Sequence, residues 1–391
     1  MDKKPYIQNS KSVKFDSMKK KFVRIFLYAC AIWCITLVIT PISSTQLTDN
    51  IWASKAPMQE PRGRLGVEAV NGKIYAIGGS TLNIIGPIVG PYRYDIGAGV
   101  GTTEEYNLST DTWIYKTPMP TPRVNFGIAV CGGKIYCLGG SSYYNETNAN
   151  EVYDPATDSW ETRAPLPIPT GATTANVVGD KIYLVSTKWS DNNLTQVYDP
   201  LTDSWTTKTS PPTEIGSKAS AVINDKIFFV NKDGFIQIYD PLNDRWSTGA
   251  KAPSAIPFSA LYPLESATAV ATTGEHAPKR IYFLSENGNY IYNPIDDTWA
   301  TGADDPTARG YAGAVAINDI VYNVGGMIFE ISAGHMGPTA VNEQYTPIGY
   351  GTVRPADAST WIVYATGIVA TMAVASGIIV YSKKHHRCSA S

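Results

Sequence analysis

The sequence predicts an all-β fold, a six-bladed β-propeller closed by an N-terminal strand, with an N-terminal signal or anchor helix and a C-terminal transmembrane helix at its flanks. Three observations carry this. Tryptophans Trp52, Trp113, Trp160, Trp205, Trp246 and Trp299 precede the aromatics Tyr75, Tyr136, Tyr183, Phe228, Tyr282 and Tyr322 by 23 residues in five of six cases, and by 36 from Trp246. A tyrosine stands seven residues before a tryptophan at Tyr106/Trp113, Tyr153/Trp160, Tyr198/Trp205, Tyr239/Trp246 and Tyr292/Trp299. Strand-like runs and turn dipeptides repeating every ~40–60 residues are what propeller blades require.

One repeat shows the unit. Phe126–Val130 is a short apolar strand, Gly132-Gly133 a tight hairpin turn, and Lys134–Gly140 the second strand, ending in a double glycine. Glu151–Asp154 is the third strand, Pro155 to Asp158 the turn, and Trp160 opens the fourth. No tryptophan follows Tyr345 in the last repeat, whereas Trp52–Met58 resembles a fourth strand without a blade. The N-terminal segment is therefore expected to close the ring beside Glu343–Tyr345, which hides an otherwise open sheet edge.

Composition agrees. With 43% hydrophobic residues, 33 Gly and 26 Pro in 391, the chain is too apolar for disorder and too rich in turn-formers for a helical bundle. Only Cys131 and Cys137 of its five cysteines fall in the repeats, which excludes a disulfide scaffold. The hairpin sets them too far apart to bridge, so buried thiols are expected. The formal charge of −2 hides a split: residues 1–42 hold eight Lys/Arg against two acids, and residues 43–381 hold 21 against 32, a net of −11. So acidic a domain repels nucleic acid and anionic lipid.

Two apolar segments flank it. Phe22–Ile42, after Lys19, Lys20 and Lys21, reads as a cleaved signal peptide or an uncleaved anchor, and both readings stay open. Trp361–Tyr381 runs 21 residues without a charge, ~31 Å as a helix, with Lys383, Lys384 and Arg387 behind it. The positive-inside rule puts that tail in the cytoplasm and the repeats outside. The expected divisions are thus 1–44 signal or anchor, 45–346 propeller, 347–360 linker, 361–381 transmembrane helix and 382–391 cytoplasmic tail of a cell-membrane protein.

The Gly-Gly pairs at 78–79, 139–140 and 325–326, with the Tyr-x6-Trp pairs, make residues 50–350 resemble the kelch-repeat β-propellers, and with the flanks the membrane-anchored cell-surface kelch proteins. The third, fourth and fifth repeats depart from the pattern, with Val185-Ser186, Val230-Asn231 and Leu284-Ser285 in place of the glycines. The resemblance implies a binding module for a protein or glycan, with an epimerase like the sialate mutarotases or a structural envelope protein as alternatives. It also brings the galactose oxidase type of copper enzyme into view, but the Tyr-His dipeptide of that site is missing.

No cofactor or metal is expected. The Asp154/Asp158, Asp199/Asp203 and Asp240/Asp244 pairs, and Asp296/Asp297, fall on the third-to-fourth-strand turn, where aspartate caps its own backbone. Asn107, Asn145 and Asn193 head sequons on outer loops, open to glycosylation. No catalytic residue is assigned.

The binding face is expected where the 2–3 and 4–1 connections emerge. The intervals between the strand-2 and strand-3 anchors are 31, 17, 15, 11, 10 and 23 residues in repeats 1 to 6, so the long loops belong to neighbouring blades 6, 1 and 2. They are Ser80–Thr103 with Tyr92, Arg93 and Tyr94, Ser141–Asn150 with Tyr143 and Tyr144, and Met327–Asn342 with Phe329 and His335. Thirteen residues before the strand-2 aromatic stand Arg62, Arg123 and Arg309 in those blades, against Thr170, Ile215 and Ala269 in the others. A basic, aromatic half-face suits carboxylated sugars or acidic protein segments.

Overall fold

A computed structural model describes residues 49–82, 84–85, 99–143, 145–171, 173–186, 193–231, 233–253, 266–330 and 335–352. Both apolar segments, the basic tail and residues Tyr92, Arg93, Tyr94 and Tyr144 lie outside the described residues. Among the described residues no helix is long and apolar enough to cross a membrane.

Six four-stranded antiparallel sheets form the blades. Blade 1 runs Gly66–Val70, Lys73–Ile77, Thr103–Asn107, Thr112–Lys116, and blade 2 runs Gly127–Cys131, Lys134–Leu138, Asn150–Asp154, Ser159–Thr162. Blades 3 to 5 open with Thr173–Val178, Ile215–Ile223 and Thr268–Ala271, and each completes its sheet from the next three strands in order. Blade 6 is composite: Gly313–Ile317, Ile320–Val324 and Asn342–Thr346 take Ile51–Lys55 as their outer strand. The register is Trp52 opposite Tyr345 and Ser54 opposite Glu343, the closure expected from the orphan tryptophan.

Tight strand 1–2 turns need two left-handed residues, because that backbone twist matches the strands. Asn71-Gly72 (φ 52° and 71°) and Gly132-Gly133 (58° and 75°) supply them. The core lies between blades: Ile74, Tyr106 and Trp113 of blade 1 pack with Tyr322 and Val324 of blade 6. Each Tyr-x6-Trp pair becomes a cross-strand contact, with ring centroids 5.0 Å apart in blade 1 and 4.9 Å in blade 4. Trp52 and Tyr345 keep the same 5.0 Å spacing although they come from opposite ends of the chain.

The second aspartate of each turn does more than cap. Asp111, Asp158, Asp203, Asp244 and Asp297 all have left-handed backbone, with φ from 48° to 54°. Each accepts its own blade's tyrosine hydroxyl, as Tyr106 to Asp111 Oδ1 at 2.5 Å and Tyr198 to Asp203 Oδ1 at 2.5 Å. The same oxygen accepts an amide from the preceding blade, Ala56 to Asp111 at 2.9 Å and Thr117 to Asp158 at 2.9 Å. The indole of that blade returns a bond to the preceding blade, Trp113 Nε1 to the Ala56 carbonyl at 2.8 Å. These bonds, the Tyr106 hydroxyl first, hold the Asp111 carboxyl below its usual range. Between blades 4 and 5 Ala250 still donates to Asp297 at 2.7 Å, but the Trp299 indole N–H is buried without a partner beside a register shift in blade 4.

Candidate functional site

The three arginines expected on the binding face are in the interior. Arg62, Arg123 and Arg309 are buried, and their guanidiniums pair with Glu104, Glu151 and Glu343, the second residue of strand 3 in each blade. Other N–H groups donate to carbonyls in or just past strand 2, Arg62 to Gly78 at 2.8 Å, Arg123 to Cys137 at 2.9 Å and Arg309 to Asn323 at 2.8 Å, while the Nε of Arg62 and of Arg309 is buried without a partner. A guanidinium with so many buried acceptors fixes the 4–1 connection onto strands 2 and 3. Contrary to the expectation from sequence, these three arginines hold the fold and present no guanidinium to a ligand.

The double glycines explain why the arginines recur beside them. A Cβ on Gly78 would stand 2.9 Å from the Arg123 carbonyl, and one on Gly325 2.6 Å from the Arg62 carbonyl, each in the next blade. Gly79 and Gly326 donate to those same carbonyls at 3.1 and 2.9 Å. Where the arginine is missing, its acid is missing too: Gln196 and Gln237 replace the glutamate in blades 3 and 4, and Tyr290 in blade 5. Gln196 closes a two-way bond with Ile168, at 3.1 and 3.2 Å, in place of the ion pair. Ala269 is not the counterpart of the arginines. It sits within strand 1 opposite Phe283, because blade 5 has a longer strand 1–2 connection, Thr272 to Arg280, and the count of thirteen crosses it.

Two residues past each arginine lies a feature the sequence did not reveal. Arg64, Asn125 and Tyr311 all have left-handed backbone, with φ of 59°, 59° and 55°. Such a conformation in non-glycine residues is uncommon, and where it clusters it points to function. Here it links the rim: Asn125 N–H donates to the Arg64 carbonyl at 3.1 Å, Arg64 to Tyr311 at 2.8 Å and Tyr311 to Ser266 at 2.7 Å. Four blades are thus joined at the 2–3 and 4–1 end of a central cavity whose walls are the first strands of all six blades.

The Arg64 guanidinium lies 4.5 Å over the Tyr311 ring. Among the described residues no carboxylate forms an ion pair with Arg64, and its Nε is buried without a partner. Glu68, four residues on in the first strand, lines the same cavity, and burial pushes its carboxyl up to about 7. The mouth therefore offers a cation without an ion-pair partner among the described residues, backed by a buried aromatic ring, and inward-facing polar groups.

The 2–3 loops of blades 6 and 1 meet above this rim, as their lengths suggested. Met327–Glu330 and His335–Pro338 form a hairpin that adds Ile84–Ile85 of blade 1 as a third strand, with His335 opposite Ile85. Phe329 stands in its first strand, opposite Met336. In blade 2, Tyr143 is exposed at the turn of the Ser141–Ser142 and Asn145–Glu146 hairpin, with a left-handed φ of 53°. Asn145 is exposed, Asn193 donates to the Pro211 carbonyl at 3.3 Å, and Asn107 accepts from Ser109 in its turn. Cys137 is a buried free thiol as expected, while Cys131 is only half-buried. Among the described residues no cluster of three His, Cys, Asp or Glu could hold a metal ion.

A closed ring of six four-stranded antiparallel blades defines a β-propeller. The first two repeats match the family described as "Kelch motif", over residues 61–120 and 122–167, within the six-bladed ring. It is similar to Influenza virus NS1A-binding protein of Homo sapiens, 36% identical over 91 residues, or 23% of this chain and 12% of that one. It is similar also to Kelch-like ECH-associated protein 1A of Danio rerio, 30% identical over 92 residues, or 24% and 14%. The match thus spans well under a fifth of the length of either relative. The solved structure of YjhT shares the fold, with a TM-score of 0.55 over 73% of this chain and 96% of that one, at 13% identity.

Proposed function

We propose that the propeller is an interaction module that captures a protein ligand at the mouth of its central cavity, on the face built by the 2–3 and 4–1 connections. The observation that carries this is the Arg64–Tyr311 pair: a cation with a buried, unpartnered N–H, stacked on an aromatic ring at a strained rim. Such a pair suits an acidic or amide-bearing side chain of a protein segment. The printed names of two relatives, an NS1A-binding protein and an ECH-associated protein, record protein partners and support the same reading.

The module is held at a membrane with the propeller outside. The support is sequence: 21 uncharged residues at Trp361–Tyr381, followed by Lys383, Lys384 and Arg387. Protease added to intact cells removes the propeller and spares the tail; a protected propeller overturns this placement. For the ligand reading, peptides selected by the full chain from a random display library should bind Arg64→Ala at least tenfold more weakly. Unchanged binding by Arg64→Ala overturns it.

A further inference from the structure

The opposite face carries a repeated apolar feature that neither the fold nor ligand capture uses. The strand 3–4 turns of blades 3 to 5 read Asp199-Pro200-Leu201, Asp240-Pro241-Leu242 and Asn293-Pro294-Ile295, and the chain leaves strand 3 of blade 6 through the matching Thr346-Pro347-Ile348. At the third position Leu201 is 92% exposed, Leu242 91%, Ile295 75% and Ile348 41%. Blades 1 and 2 have Ser109 and Ala156 there. Single exposed aliphatics need no explanation, but the same position after strand 3 in four consecutive blades makes a pattern.

Both ends of the described chain leave on this face. Strand 3 of blade 6 ends at Thr346, the closing strand begins opposite it at Ile51, and the Gly349 amide donates to Asp49 Oδ2 at 2.6 Å. The turn after Thr346 docks on blade 5, with Gly351 donating to the His276 carbonyl at 2.7 Å. Between Thr352 and the apolar segment starting at Trp361 stand eight residues, which reach at most ~30 Å.

We infer that this turn face rests on the lipid surface, with Leu201, Leu242, Ile295 and Ile348 entering the headgroup layer. The inference rests on the membrane-anchored reading given above. The tether leaves from this face, and not from the cavity mouth. Charge selects the lipid. Asp199 pairs with Lys181 at 2.6 Å and Asp240 with Lys226 at 3.6 Å, so the tips of blades 3 and 4 are flanked by neutral pairs. A zwitterionic surface accepts such a rim, whereas an acidic domain is repelled by an anionic one. The cavity mouth then points away from the membrane.

The test uses the full chain in phosphatidylcholine nanodiscs, with Cys30, Cys34, Cys131 and Cys388 replaced by serine and one nitroxide placed by Leu201→Cys, Leu242→Cys, Ile295→Cys or Ala156→Cys. The inference expects labels at 201, 242 and 295 to be several-fold more accessible to oxygen than to a water-soluble nickel reagent, and the label at 156 to be as open to nickel as in water. Carbonate extraction is run on the same samples. A chain that stays in the membrane while all four labels behave alike overturns the docking and leaves the anchor standing. A chain that washes out overturns both. Labels shielded from both reagents mean that a second copy or another protein covers the face, which also overturns lipid docking.

Discussion

The Tyr345 hydroxyl donates to Asn50 Oδ1 at 2.9 Å, joining two residues 295 positions apart. Asn50 thereby takes the part that aspartate plays in the other five blades. It shares their left-handed backbone, with a φ of 57°, and it too accepts the amide of the preceding blade, Ala303, at 2.6 Å. The Trp52 indole completes the joint by donating to the Ala303 carbonyl at 2.8 Å. Asn50 thus ties the closing strand to the preceding blade.

Asn50→Ala removes one acceptor oxygen and its two hydrogen bonds and leaves a left-handed alanine, so it should cost ~2–3 kcal/mol. Asn50→Gly restores the backbone freedom without the bonds and should recover ~1 kcal/mol of that. Thermal melts monitored by tryptophan fluorescence check the order wild type, Asn50→Gly, Asn50→Ala. Equal melting of all three shows that the closure does not depend on this residue.

The arginine staples have a natural control within the molecule. Glu151→Gln alone leaves the Arg123 guanidinium buried against a neutral partner and should destabilise by ~3–5 kcal/mol. The double change Arg123→Thr with Glu151→Gln copies the residues of blade 3, where Thr170 and Gln196 stand at these positions, and should return part of the loss. Denaturant titration of both variants measures the coupling; additive losses reject the pairing.

Blade 6 should respond to pH. Asp305 occupies the position held by the buried apolar residues Met58, Met119 and Leu166 in blades 1 to 3. It accepts from Arg309 at 2.9 Å and from Asn323 at 2.6 Å. Burial first, then the neighbouring Glu343 carboxyl, push it up to about 7. A carboxyl whose folded value is raised stabilises fully below its unfolded value of ~4, and that contribution is lost as pH climbs toward about 7. Glu343 works in the opposite sense, its burial outweighed by hydrogen bonds from Asp305 and Arg309 that hold it below its usual range. Asp305→Asn should therefore gain melting temperature relative to wild type as pH rises from about 5 to 8. A difference that stays flat across that window contradicts the raised carboxyl.

The Cys137 thiol should be inert. Burial pushes it up to about 12, so almost none is thiolate at neutral pH. A chromogenic disulfide reagent should leave Cys137 untouched in the folded chain and react with it fully in denaturant. Rapid reaction in the folded state contradicts its burial.

The fold was legible because its signals are spaced along the chain. Tyr-x6-Trp is a cross-strand pair around a fixed turn, and the orphan Trp52 announced the closing strand. The site was less legible. Arg62, Arg123 and Arg309 read as a surface because arginine usually is one. The sign of their burial was Glu104, Glu151 and Glu343, two residues before each strand-3 tyrosine and replaced wherever the arginine is. The left-handed backbone at Arg64, Asn125 and Tyr311 has no residue signature, since glycine occupies none of these positions. The turn aspartates were read as local caps; their bonds to the preceding blade link residues some 35–55 apart, beyond any local pattern.

Hydrogen exchange of the full chain with and without a selected peptide shows whether a protein ligand sits on the cavity mouth. Bound peptide should slow exchange at the amides of Arg64, Asn125 and Tyr311 and in the Met327–Glu330 and His335–Pro338 hairpin. Protection confined to the strand 1–2 and 3–4 turns, with the rim amides unchanged, would contradict that placement.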